Sequence, residues 1–292
     1  PQAIGYKVMV RTISDIAAMG GIPRHAVVMT ALPSGSTAEL REGLLAGLLK
    51  AAKPFDVALV GGDTKSWGEG SDKGGSLCLA VSLTGEMDGL EPMLRSGAKP
   101  GDGVFVTGSL GGSILGHHAS FIPRVPEGRW LAGFMHEGER AVTSAIDLSD
   151  GLSGDLWQIC QASGVGCRLD ASRIPVAADA QKLAQQEMRA AQGKAHELGD
   201  GWSGTPQTAL DHALHDGEDF ELLFTVRAEC AQVLAKAWPF ETRLTCIGEV
   251  TSWQPQMPAV TTEPSRRVGD GLFLGLGDAS QRLPIKGYEH RL

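Results

Sequence analysis

Ala145-Ile146-Asp147-Leu148-Ser149-Asp150-Gly151-Leu152 is the stretch whose reading decides the fold class. Its first half, Ala145 to Leu148, reads as a short strand. Ser149-Asp150-Gly151 then supplies residues that turn easily and cap helices. Beyond them Leu152, Leu156 and Ile159 recur on one helical face. A strand that passes through a tight turn into an amphipathic helix is the unit of α/β architecture.

The same grammar repeats on both sides. Upstream, Ser14 reads as an N-cap for a short helix from Asp15 to Met19, stopped by Gly20-Gly21, which sets Asp15 at a helix N-terminus. Ser36-Thr37-Ala38-Glu39 has capping-box form, and Leu40, Leu44, Leu45 and Leu48 follow at helical spacing until Pro54. Val57 to Val60 reads as a buried strand that delivers Gly61-Gly62-Asp63-Thr64 at its end. A Gly/Ser-rich loop over Trp67 to Ser76 leads to an alternating strand, Leu77 to Leu83. Downstream, the pattern predicts a strand over Gly103 to Thr107, then a glycine-rich turn and helix over Gly108 to His118. It further predicts a long helix over Ala178 to Ala191, a polar loop over Gln192 to Gln207 and a strand over Phe220 to Val226. The expected fold is therefore α/β in two domains, an N-terminal mixed sheet with helices and a C-terminal α/β domain. Arg95-Ser96-Gly97-Ala98-Lys99-Pro100-Gly101-Asp102, polar and turn-rich, marks the border near Leu94, giving domains 1–94 and 95–292.

Composition narrows the function classes. The chain has 292 residues and a net charge of −8, so no basic surface calls for nucleic acid. Five cysteines without a CxxC pair argue against a disulfide framework and a cysteine zinc site, and read as reduced thiols of a cytoplasmic protein. No apolar run approaches the roughly 18 residues that span a bilayer.

Neither G-x-x-x-x-G-K-[ST] nor a G-x-G-x-x-G after a strand is present, so a nucleotide must be held another way. Three acidic marks stand out: Ser14-Asp15, Gly62-Asp63-Thr64 and Asp147-Leu148-Ser149-Asp150-Gly151. Magnesium takes oxygen ligands and is commonly held by a few carboxylates plus substrate phosphates, which such residues suit. Each alone has a plainer reading: Asp15 and Asp150 as helix-dipole partners, Asp63 as a turn former, Ser149 as an N-cap, Gly108 to Gly112 as an ordinary turn.

Their order in the chain adds weight. Ser-Asp-Ile-Ala-Ala-Met-Gly-Gly (14–21), Gly-Gly-Asp-Thr (61–64), Arg-Ser-Gly-Ala-Lys-Pro-Gly-Asp (95–102), Asp-Leu-Ser-Asp-Gly-Leu (147–152) and Gly-Glu-Asp-Phe-Glu-Leu (217–222) closely resemble successive signatures of the thiamine-monophosphate kinases. Gly287-Tyr288-Glu289-His290 resembles that family's ending. The resemblance implies an ATP-using, magnesium-requiring homodimer of the aminoimidazole ribonucleotide synthetase and selenophosphate synthetase superfamily, paired through its N-terminal half. It implies magnesium ligands at Asp15, Asp63, Asp147 and Asp150, and ATP contacts at Gly62, Asp63, Arg95 and Ser149. Asp63, Asp150 and Arg95 would carry the catalytic electrostatics, and Glu218 and Tyr288 would contact thiamine monophosphate, with Arg124 a weaker phosphate candidate. Two departures are visible. The family's Gly-Asp-Asp-Ala segment has no match before Gly5-Tyr6-Lys7, so either it lies outside this sequence or the chain is a degenerate paralogue, and the Ser66 to Ser76 loop is longer than the family pattern. The alternatives to a thiamine-phosphate kinase are a non-catalytic paralogue that binds ATP or thiamine phosphate, and another ATP-using enzyme of the superfamily.

Overall fold

The computed structural model describes residues 1–68, 75–192, 205–253, 268–276 and 279–285. The chain is a mixed α/β protein of two compact units: Pro1–Pro92 with His118–Trp130, and Met93–His117 with Leu131–Leu292.

The first unit contains α1 (Gln2–Ala18), β1 (Ile22–Pro33), α2 (Ala38–Ala52), β2 (Ala58–Trp67) and β3 (Cys78–Glu86). Its sheet runs β2-β1-β3, with β1 parallel to β2 and antiparallel to β3. Thr37 caps α2, its Oγ1 accepting from the Leu40 amide at 3.2 Å, one residue later than the Ser36–Glu39 capping box expected, while Ser36 Oγ donates to the Pro33 carbonyl at 2.6 Å. The two helices cross through glycines. A Cβ on Gly47 would lie 2.0 Å from the Gln2 carbonyl oxygen, and one on Gly5 would lie 2.1 Å from that of Leu44. Only a missing side chain lets the backbones come so near.

Two expectations fail here. The helix before Gly20 does not start at Ser14. It starts at Gln2, because Met9, Val10, Ile13 and Ala17 form one continuous buried stripe, on which Ser14 also lies. Asp15 therefore sits in the C-terminal part of α1, away from the dipole end assigned to it. The strand expected over Val57–Val60 is buried only at Val57 and is not finished at Gly61. β2 continues to Trp67 as an edge strand, with a register shift at Ala26/Val27 of its partner, and Asp63 lies inside it opposite Met29. One sheet face stays open, exposing Val27, Met29 and Ala80.

The second unit holds β4 (Gly103–Thr107), β5 (Met135–His136), β6 (Glu139–Arg140), β7 (Val142–Asp147), β8 (Val165–Asp170), β9 (Leu222–Val226), β10 (Leu244–Ser252), β11 (Val268–Leu276) and β12 (Ala279–Pro284). Its helices are α4 (Leu152–Ser163), α5 (Ala178–Ala191), α6 (Ala209–His215) and α7 (Ala231–Ala237), and α3 (Val125–Gly133) precedes β5. Seven strands form one sheet in the order β12-β11-β8-β10-β4-β9-β7, antiparallel except for β8 with β11. β4 and β9 are buried along their whole length, as their near-continuous apolar sequences require. Leu152, Leu156 and Ile159 of α4 enter this core. β4 and α5 match their predicted spans, whereas the helix expected over Gly108–His118 is replaced by two 3₁₀ turns, Ser113–Leu115 and His117–Ala119. Gly111, Gly112 and Gly116 all have left-handed φ there, which breaks an α-helix.

Candidate active site

Three neighbouring strands set up the site. β9 pairs antiparallel with β4 on one side and β7 on the other, so the C-terminal ends of β4 and β7 and the start of β9 meet at one edge. Three loops emerge there: the glycine turn 108–112, the Ser149-Asp150-Gly151 turn and the segment 216–221. The last two are stitched backbone to backbone. Leu148 donates to the Glu221 carbonyl at 2.8 Å, Phe220 to that of Leu148 at 2.8 Å, and Glu218 to that of Ser149 at 2.9 Å. The topology thus brings the Asp-Leu-Ser-Asp-Gly and Gly-Glu-Asp-Phe-Glu motifs side by side, although they start 70 positions apart in sequence.

Buried carboxylates brace all three loops. Asp155, in the first turn of α4, accepts the Ser149 and Asp150 amides on one oxygen at 2.9 and 3.0 Å. Burial, with the charges of Asp150 and Asp147 beside it, pushes its pKa up to about 8, against the pull of those two amides. Asp219 takes the Gly111 amide on both oxygens at 2.9 and 3.0 Å. Its carboxyl is held well above the usual range, first by burial and then by the charges of Asp216, Glu221 and Asp155. Asp216 takes the Gly112 amide at 2.9 Å, and Ser113 Oγ donates to the Gly217 carbonyl at 2.6 Å. Glu221 is buried and accepts from Thr107 Oγ1 at 2.6 Å, and that hydroxyl in turn accepts the Leu222 amide at 2.8 Å. The amides of Gly111 and Gly112, which could have cradled a phosphate, are therefore already bound to the chain's own carboxylates.

Gly151 has φ +99°, and a Cβ on it would lie 2.9 Å from the His215 and Asp216 carbonyl oxygens, so the turn requires glycine. Glu218 and Phe220 carry φ of 68° and 50° without being glycine, at a cost of about 1–3 kcal/mol each. Backbone strain of this kind persists only where the surroundings over-determine it, and it concentrates at functional sites.

Asp147 ends β7 and is buried, Ser149 is half-buried and Asp150 exposed in the turn, and Glu218 is half-buried in the adjoining loop. Arg95 is exposed, its carbonyl accepting from Ser163 Oγ at 3.3 Å. In the first unit Asp15 and Asp63 are exposed, and Lys65 lies 3.7 Å from the Asp63 carboxylate. Gly62 packs so that a Cβ would meet the Val28 carbonyl at 2.1 Å. Arg124 lies 3.8 Å from Glu127. Tyr288 and most of the Ser66–Ser76 loop lie outside the described residues.

Asp155, Asp216, Asp219 and Glu221 escaped the sequence reading as supporting residues. Asp155 left one signal, being a carboxylate three residues after Leu152 on an otherwise apolar face. The others touch partners more than 100 positions away, which no local pattern reveals.

Among the described residues no three His, Cys, Asp or Glu side chains stand together as a ready metal cage. That donor set fits magnesium held with substrate phosphates rather than in an all-protein cage. Asp150, exposed in the turn, and Asp147, buried at the end of β7, are oxygen donors close enough to Asp155 that their charges add to burial in raising its pKa. Among the described residues, no helix is long and apolar enough to cross a membrane.

Residues 1–87 match the family model described as AIR synthase related protein, N-terminal domain. A thiamine-monophosphate kinase of Rhodopirellula baltica is 35% identical over 265 residues, covering 91% of this chain and 74% of that protein. The chain belongs to the thiamine-monophosphate kinase family. The enzyme of that name from Pyrococcus horikoshii is 31% identical over 301 residues, covering 99% of this chain and 80% of its own length. In fold, the structure of AaThiL complexed with AMPPCP and TMP superposes with a TM-score of 0.71 at 23% identity, over 99% of this chain and 81% of that one.

Proposed function

We propose that this chain transfers the γ-phosphate of ATP to the phosphate of thiamine monophosphate, yielding thiamine diphosphate and ADP by direct in-line displacement. The observation that carries this reading is the seating of the Asp147–Gly151 turn against the Gly217–Glu221 loop at one end of three adjacent strands. Family membership supports it, as does the AMPPCP and TMP complex of the structural neighbour.

In this reading Asp147 and Asp150 of the second unit and Asp15 and Asp63 of the first are magnesium ligands. Bound magnesium supplies neutralisation of phosphate charge, which is the main obstacle when two anions must approach. Arg95 pairs with phosphate oxygens, and Ser149 and Gly62 contact ATP. Glu218 and Tyr288 hold thiamine monophosphate. No side chain acts as general base, because the attacking phosphate oxygen is already anionic near neutral pH. What remains for the protein is alignment and electrostatic stabilisation, which suits turns fixed by buried hydrogen bonds. The segment 1–94 acts as the ATP/metal-binding and dimerisation domain and 95–292 as the α/β domain, in a cytoplasmic homodimer. The open sheet face carrying Val27, Met29 and Ala80 supports pairing through the first unit.

The test is turnover of purified protein with ATP, magnesium and thiamine monophosphate, followed by chromatography of the thiamine products. Thiamine diphosphate is expected to form in step with ADP, and a chelator to stop both. Tight binding of either substrate with no product would overturn the kinase reading in favour of a binding paralogue.

A further inference from the structure

The Gly217–Glu221 loop is pinned more heavily than a connection of its length requires, and the pins surround one residue. Asp219 lies between two left-handed residues, Glu218 at φ 68° and Phe220 at φ 50°. That alternation turns the Asp219 side chain inward, where it is 2% exposed, and leaves Glu218 half-exposed. Asp219 Oδ1 and Oδ2 both accept the Gly111 amide, and its own carbonyl lies 3.0 Å from His117 Nε2. The neighbouring amides are fixed on the other side, Glu218 to Ser149 and Phe220 to Leu148.

We propose that Asp219 is a positioning residue for thiamine monophosphate: its buried carboxylate clamps the glycine turn at Gly111 and so holds Glu218 in the left-handed conformation that presents it to the substrate. This rests on the reading of Glu218 as a substrate contact given above. Without the clamp, the Gly111 amide loses its buried acceptor and the loop is free to relax toward ordinary φ values, carrying Glu218 with it. The ATP end is spared by construction. Ser149 also touches this loop, but its amide and that of Asp150 are held separately by Asp155.

Substitutions at two positions test this, each read as separate Michaelis constants for the two substrates. Asp219→Ala is expected to raise KM for thiamine monophosphate about tenfold, the scale on which misplacing a binding group acts, and to leave KM for ATP within about twofold. Asp219→Asn keeps the shape and one acceptor for Gly111, and is expected to rescue most of that loss. KM does not depend on the fraction of folded enzyme, so a destabilised Asp219→Ala preparation still reports. Should Asp219→Ala yield no folded protein, Asp219→Asn alone decides, with a rise of about threefold expected for thiamine monophosphate only. Glu218→Gln serves as the reference. If Glu218→Gln raises KM for thiamine monophosphate but neither Asp219 variant does, or if the Asp219 variants raise both constants equally, the positioning role is overturned and the Glu218 contact stands. If Glu218→Gln changes nothing, the Glu218 contact itself fails, and the positioning role falls with it.

Discussion

The acidic residues of the two units are set in opposite ways. In the first unit Asp15 and Asp63 project from a helix and an edge strand, exposed, with Lys65 at 3.7 Å from Asp63. In the second, Asp150 and Glu218 sit on loops and Asp147 at the buried end of β7, beside the buried carboxyl groups of Asp155, Asp219 and Glu221 that brace those loops. The first unit holds its carboxylates on regular elements whose rigidity comes from helix packing and sheet pairing. The second places Asp150 and Glu218 on irregular backbone, and so needs polar groups beneath to fix them. Charge at the exposed positions should therefore be dispensable for folding and needed for turnover.

The largest expected effect tests that statement at both places at once. Asp63→Asn and Asp150→Asn should each lower turnover by about 100-fold or more, the scale of losing a principal electrostatic contact to the transition state. Thermal stability of either variant without ligands should stay level or rise slightly. Near-normal turnover, or activity lost only through unfolding, would return Asp63 to a strand-surface residue or Asp150 to a turn former.

A second variant tests how the two helices of the first unit are held together. Gly47→Ala puts a methyl 2.0 Å from the Gln2 carbonyl, so α1 and α2 must move apart. A loss of about 1–3 kcal/mol in denaturant unfolding is expected, as for other overpacked contacts. An unchanged midpoint would mean that the helix crossing is looser than described.

Asp155 gives the comparison a pH dependence. It keeps its proton up to about pH 8 when folded, whereas an unfolded carboxyl loses its proton near about pH 4. Stability linked to that proton is complete below the unfolded pKa and is lost as pH rises toward the folded one. Asparagine has no such proton, yet still offers an oxygen to the Ser149 and Asp150 amides. In melts with chelator present, the stability of Asp155→Asn relative to wild type should grow between about pH 5 and about pH 8 and then level off. A difference that stays flat with pH would remove the raised pKa. The smallest effect belongs to the first unit: Thr37→Ala should cost about 1 kcal/mol through the lost cap of α2.

The parts legible in the sequence are those that depend on near neighbours. The β4 run and the Ala/Gln-rich α5 follow from spacing within one element, and the cap of α2 does so to within one residue. The start of α1 and the length of β2 are not legible in the sequence, where glycine pairs and short polar residues read as breaks. In the fold, Ser14 is carried on a buried helical stripe, and Gly61-Gly62 are carried along a paired strand. The motif carboxylates were visible as motifs, whereas Asp155, Asp216 and Asp219 act as supports through contacts that only the folded sheet creates.

The central claim is direct transfer to a phosphate acceptor, and a rapid-quench single turnover with γ-labelled ATP, magnesium and thiamine monophosphate tests it most directly. Label should pass from ATP to the terminal phosphate of thiamine diphosphate in one phase, with none on the protein at any time. Label found on the protein before product, or released as inorganic phosphate without thiamine diphosphate, would contradict it.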